Sequence, residues 1–205
     1  LPIKKYNTES ALNNFCEYSM IDPAFLAACY GFTEDEVKML AERHNASMDN
    51  LKMWYDGYNI GREKSIYNPY SVMKALQRGS CRSYWTTTGA YDSVITYIQM
   101  NFDGLKDDII RMLAGERVYV NTSKFQNDMN IVRSKNDVLT VLIHLGYLAY
   151  DDEKQQCYVP NKEVTDELLN AVEDTSWKRL ADAITASRNL LDATIAGNEN
   201  AVAQA

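Results

Sequence analysis

Apolar residues recur at helical spacing along most of this chain and alternate with polar ones in only a few short runs. Val37, Leu40 and Ala41 share one face of a helix predicted over 34–44. It opens on Thr33-Glu34-Asp35-Glu36, a capping box in which the Thr oxygen accepts the Glu36 N–H and the Glu reaches back. Leu51, Trp54 and Tyr55 mark a second helix over about 48–55, and 69–78 a third, stopped by Gly79. Asn68 can cap that third helix, and Pro69 at its first position gives up only an N–H that would be unpaired anyway. Between the second and third helices, Tyr58 and Ile60 face Ile66 and Tyr67 across a Gly61-Arg62-Glu63-Lys64 turn, which predicts a hairpin. Upstream, Thr8 is read as the cap of a short helix to Glu17, and Asp22-Pro23 as the start of another running to Gly31.

Further along, Thr88 caps a predicted helix over 90–101, with Val94, Ile95 and Ile98 inward. Leu105, Ile109, Met112 and Leu113 define the next, over 105–114, ended by Gly115. Residues 117–120 read as a strand, and Ser134-x-x-Asp137 opens a strongly apolar helix that stops at Gly146. Tyr147–Tyr150 and Gln156–Val159 flank the polar turn 151–155 as a second hairpin, followed by a helix over 163–172. Ser176 caps a last long helix over 177–196, broken at Gly197-Asn198. Strand, helix, hairpin, helix in this order is the plan of a winged helix, whose lone strand Val118–Val120 would pair with the hairpin in a three-stranded sheet. The fold class expected is mainly α with small β hairpins. A helical lid-like region spans 1–80, a winged-helix-like module 81–173, and C-terminal helices leading to a further domain 174–205.

Composition narrows the class. The chain has 205 residues, 46% hydrophobic and 24% charged, as in globular proteins, and no apolar run approaches the length of a membrane span. A net charge of −7 argues against a general nucleic-acid surface, which needs clustered Lys and Arg. Cys16, Cys29, Cys81 and Cys157 show no C-x-x-C spacing and sit among apolar neighbours, so buried free thiols in a reducing cytoplasm are expected. The chain opens on Leu1-Pro2-Ile3 without an initiator Met and stops inside a nascent helix, so a piece of a longer protein is expected.

The run Trp54-Tyr55-Asp56-Gly57-Tyr58-Asn59-Ile60-Gly61, followed by Tyr67-Asn68-Pro69-Tyr70-Ser71, is the densest cluster of aromatic and turn residues. It resembles the signature late in the AAA-ATPase-like domain of a large group of bacterial proteins. In those proteins a P-loop ATPase precedes a C-terminal nuclease-like domain of the PD-(D/E)XK type. Leu1-Pro2-Ile3-Lys4-Lys5-Tyr6, Tyr30-Gly31-Phe32-Thr33-Glu34-Asp35-Glu36-Val37 and Tyr84-Trp85-Thr86-Thr87-Thr88 resemble further segments of that family in the same order, with Thr87 where Asn is expected. The likeness spans roughly residues 1–165. It implies the lid and winged-helix portion after the ATPase core, and ATP and Mg²⁺ for the whole protein. The implied partners are the protein's own upstream core and its downstream nuclease-like domain.

Catalytic motifs are absent from the sequence itself. No G-x-x-x-x-G-K-[ST] loop is present, so this stretch cannot cradle a triphosphate alone. Asp151-Asp152-Glu153-Lys154 has the residue types of a Mg²⁺ nuclease but lies in a turn with the wrong spacing. His44 and His144 are too few for a metal site. Trp54, Tyr55, Gly57, Gly61, Tyr67, Asn68, Pro69, Tyr84 and Trp85 read as structural, locking a hairpin to two helices. If the signature also meets nucleotide, Arg62, Asp56 and Tyr58 carry that contact, Arg62 as a lid-borne guanidinium on phosphate. Two other classes stay open: a DNA-binding winged helix, for which the helix near 136–145 offers little polar surface, and a protein-interaction module docking through the last helices.

Overall fold

The computed structural model describes residues 18–85, 98, 102–123, 132–171 and 176–204. The segment Leu1–Tyr6, Cys16, Thr86–Thr88 and the helices expected over 8–17 and over 90–101 (Ile98 apart) lie outside the described residues. The described residues are mainly helical with two small antiparallel sheets, in line with the expected mainly α class with small β hairpins.

Local chemistry accounts for the first half. Helix α1 (Glu34–His44) carries the full capping box, with the Thr33 N–H donating to Glu36 Oε2 at 2.8 Å. Ser47 caps α2 (Met48–Tyr55) by accepting the Asn50 N–H. Strands β1 (Tyr58–Ile60) and β2 (Glu63–Ile66) form the hairpin, with Tyr58 opposite Ile66 and Ile60 opposite Glu63. Helix α3 (Pro69–Arg78) starts on Asn68, whose Oδ1 accepts the N–H groups of Tyr70 at 3.1 Å and Ser71 at 3.4 Å, and it ends on Gly79 at φ 65°. Asn68→Ala is therefore expected to destabilise the chain by about 1 kcal/mol, read as a lowered denaturant midpoint at unchanged slope. An unchanged midpoint would mean water caps this helix equally well.

The second half builds its sheet from distant pieces. Helix α4 (Leu105–Leu113) precedes β3 (Val118–Tyr119), then α5 (Lys135–His144), the hairpin β4 (Ala149–Asp151) and β5 (Gln156–Tyr158), and α6 (Lys162–Ala171). The strand order is β3-β5-β4, with Val118 and Tyr150 both paired to Cys157. Val138 to Ile143 of α5 are all buried, so this helix is the spine of the second core. Helix α7 (Ser176–Ile195) lies against α4: Arg188 donates to the Ala114 carbonyl at 2.9 Å and pairs with Glu116 at 2.7 Å, while Ile184 touches the core. A short helix α8 (Glu199–Gln204) follows. Among the described residues no helix is long and apolar enough to cross a membrane.

Burial divides into two large clusters and a small one between them. The first gathers α1, α2 and α3 around Tyr55, Tyr67 and Val72, and the second gathers α4, α5, the three-stranded sheet and α6. The third joins Ala27, Tyr58, Ile60 and Ile66 of the first half to Ala149 of the second.

Two expectations need correction. The segment after Pro23 is a 3₁₀ helix, Ala24–Cys29, not an α-helix to Gly31. Pro23 offers no side-chain oxygen to cap it, Ala24 takes φ 46°, and the Leu26 N–H closes on the Pro23 carbonyl at 2.9 Å. Nor are the cysteines uniformly buried. Cys157 is, and burial pushes its thiol up to about 12, but Cys81 is half-buried and Cys29 exposed. Ala27 is the buried residue of that 3₁₀ turn, which leaves Cys29 facing outward.

Candidate functional site

The aromatic signature closes on the second half of the chain. Gly57 takes φ 107°, and its carbonyl accepts the Tyr158 hydroxyl at 3.0 Å. That hydroxyl in turn accepts from Asn59 Nδ2 at 2.8 Å. Tyr58 donates to the Gly146 carbonyl at 2.6 Å, and Asn161 Nδ2 to the Asp56 carbonyl at 2.8 Å. The Lys162 ammonium sits 4.7 Å over the Trp54 ring. A Cβ on Gly57 would land on the Pro160 carbonyl, its oxygen first and its carbon at 2.7 Å, so the two backbones touch where that side chain is missing. At the hairpin tip Gly61, at φ 57°, lies against the Pro23 ring, where a Cβ would come within 3.0 Å of Cγ.

A short linker completes the joint. Tyr55 is fully buried; its hydroxyl donates to the Arg82 carbonyl at 2.9 Å and accepts the Arg82 N–H at 3.0 Å. Tyr67 is buried in the same core and pairs its backbone with Phe32. Tyr84 belongs to the first core, under the guanidinium groups of Arg78 and Arg82. The next residue, Trp85, stacks edge-on to Tyr147 at 4.5 Å and packs on the second core. The chain thus crosses from one core to the other between two adjacent aromatic residues.

Asp56 and Tyr58 both lie buried in this joint, and burial raises the acid of Asp56 and the phenol of Tyr58 above their ordinary values. Arg62 stands exposed at the hairpin turn. The Tyr58 hydroxyl is spent on the Gly146 carbonyl, whereas Asp56 meets the other half through its backbone carbonyl and keeps Oδ1 buried without a hydrogen-bond partner. Among the described residues no group of three or more His, Cys, Asp or Glu could hold a metal ion. Asp151 pairs with Arg117 at 2.8 Å, and Asp152, Glu153 and Lys154 are exposed on their turn.

The sequence reading missed two acids. Glu163 and Glu167, one turn apart on α6, are 1% and 0% exposed. Glu163 Oε1 accepts the Ser71 hydroxyl at 2.9 Å and the Tyr84 N–H at 2.8 Å, and Glu167 Oε1 accepts the Ser83 hydroxyl. The second oxygen of each is buried without a hydrogen-bond partner. Burial pushes the Glu163 carboxyl up to about 7, the nearby Glu167 adds to the rise, and its two donors oppose it. One signal could have pointed here. Like charges four apart on a helix repel, and they alternate with Val164 and Leu168 on the core side.

No family model matches the chain, and no solved structure matches it. Over 87 residues it is 34% identical to a protein of Azotobacter chroococcum mcd 1 described as "Uncharacterized protein in vnfD 5'region", a stretch that makes up 42% of this chain and 16% of that protein.

Proposed function

We propose that this chain is the lid and winged-helix portion of an AAA-like ATP-binding protein of the cytoplasm. In this reading it is a lever that couples nucleotide state in an upstream core to a downstream nuclease-like domain. The observation that carries it is the joint. The polar groups of Asp56, Gly57, Tyr58 and Asn59 bond to the other half, so a displacement of one core is passed directly to the other through this joint. A lever must transmit displacement without absorbing it, and close-packed backbones do that well. The order β3, α5, β4, β5 with β5 central supports the winged-helix plan. The opposite end of the hairpin supports the direction of coupling. Arg62 is exposed there, and the 3₁₀ turn packed on Gly61 holds out Phe25 at 78% exposure beside the positive φ of Ala24.

DNA binding through α5 is disfavoured, since six successive residues of that helix, Val138 to Ile143, are buried and cannot reach base edges. A protein-interaction role has one observation in its favour: Leu180, Leu191 and Ile195 are exposed on α7. Arg62→Ala in the complete protein tests the lever reading. ATP hydrolysis is expected to fall by about tenfold or more, given what arginine contacts to a transferring phosphoryl group contribute. Unchanged turnover in a folded variant would remove Arg62 from the nucleotide's surroundings.

A further inference from the structure

We propose that Glu163, seated beside Glu167, forms a proton-dependent clasp between the two halves, closed while Glu163 holds a proton and loosened when that proton leaves. The geometry carries it. Two carboxyl groups on α6 are closed off from water, one turn apart, and reach Ser71 at the start of α3 and Ser83 and Tyr84 in the linker. Among the described residues no Lys or Arg pairs with either: Lys162 turns to Asp166 and the Trp54 ring, and Arg78 and Arg82 lie over Tyr84. Among the described residues, the other titratable groups around Glu163 include the phenols of Tyr55 on α2 and Tyr58 on β1, both raised by burial and therefore neutral, while the phenol of Tyr84 donates to the Ser80 carbonyl. A buried carboxylate with no cation and a like charge beside it lowers its free energy by taking up a proton. Glu163 Oε1 already accepts two donors, so the proton resides on Oε2, the oxygen without a partner.

The sign follows from the two states. Closed, Glu163 titrates near 7; open to water, it returns to the ordinary glutamate value of 4.5. Opening therefore releases a proton to solvent at any pH between these values. The closed form has its full advantage at low pH and loses it as pH rises through about 7. The clasp holds whatever the chain is attached to, because its parts all lie within this chain.

Amide hydrogen exchange of the 205-residue chain, corrected for intrinsic rates, reads the clasp directly at the linker amides, Tyr84 above all. The opening constant there is expected to rise about tenfold between about pH 6 and about pH 8. In Glu163→Gln, a neutral side chain of the same shape, it is expected to stay flat. A wild-type constant that holds steady or falls with pH, or a Gln variant as steep as the wild type, overturns the proposal. Should that variant not fold, infrared titration of the wild type decides. A buried protonated-carboxyl band present near pH 6 and gone by about pH 8 supports the clasp, and its absence or persistence overturns it.

Discussion

Tyr55→Ala is expected to destabilise the chain by about 4 kcal/mol, the scale of emptying a buried aromatic site. Tyr55 is fully buried in the first core, at the C-terminal end of α2. Its ring fills the space between α1, α2 and α3, and its hydroxyl both donates to and accepts from the backbone of Arg82. Two effects combine in the Ala variant, the cavity and the two backbone groups left without a partner. Tyr55→Phe separates them. It keeps the ring and strands only the Arg82 N–H and carbonyl, for an expected loss of about 1–3 kcal/mol. Urea unfolding of the wild type and both variants measures the two steps. If Phe and Ala cost the same, the ring contributes no packing and the description of this core is wrong.

Gly57→Ala is expected to cost about 3–4 kcal/mol. A residue with a Cβ loses roughly 1–2 kcal/mol in a left-handed backbone conformation. The new methyl would also collide with the Pro160 carbonyl, which is backbone and cannot swing aside. Relieving that contact moves Gly57 and Asn161 apart, which puts at risk the hydrogen bonds from Tyr158 and from Asn161 Nδ2, each contributing about 1 kcal/mol. The consequence reaches beyond stability, because the same contact holds the two cores together. Gly57→Ala should therefore raise hydrogen exchange in β1 and β4 together, and a loss confined to β1 would show that the halves are not coupled there. In the complete protein, the proposed lever predicts that any nucleotide dependence of the downstream part weakens in this variant even below its unfolding temperature.

Much of the first half was legible before any coordinates. Thr33, Ser47, Asn68 and Gly79 end their helices through contacts with residues no more than four positions away, and such contacts are written in consecutive letters. The second hairpin and α6 were similarly plain, and the pairing of β3 with that hairpin followed from element order, while the structure decided that β5 is its partner. What went astray had non-local causes. Pro23 starts a 3₁₀ turn instead of an α-helix, in a segment whose Pro23 and Ala27 pack against the tip of a hairpin some forty residues on. Cys29 and Cys157 both have apolar neighbours in sequence, yet only the one whose strand is covered on both sides is buried.

The candidate site divides along the same line. From residue order alone came the positions of turns and caps, the aromatic density around Trp54–Gly61, and the lack of a phosphate-gripping loop. Folding in three dimensions decided that Asp56 and Tyr58 face inward while Arg62 does not, and that two ordinary-looking helical glutamates, Glu163 and Glu167, lie in the dark between Ser71 and Ser83. Backbone conformation is set by neighbours within a few residues, whereas a side chain's ionisation depends on how much water the rest of the molecule removes from it.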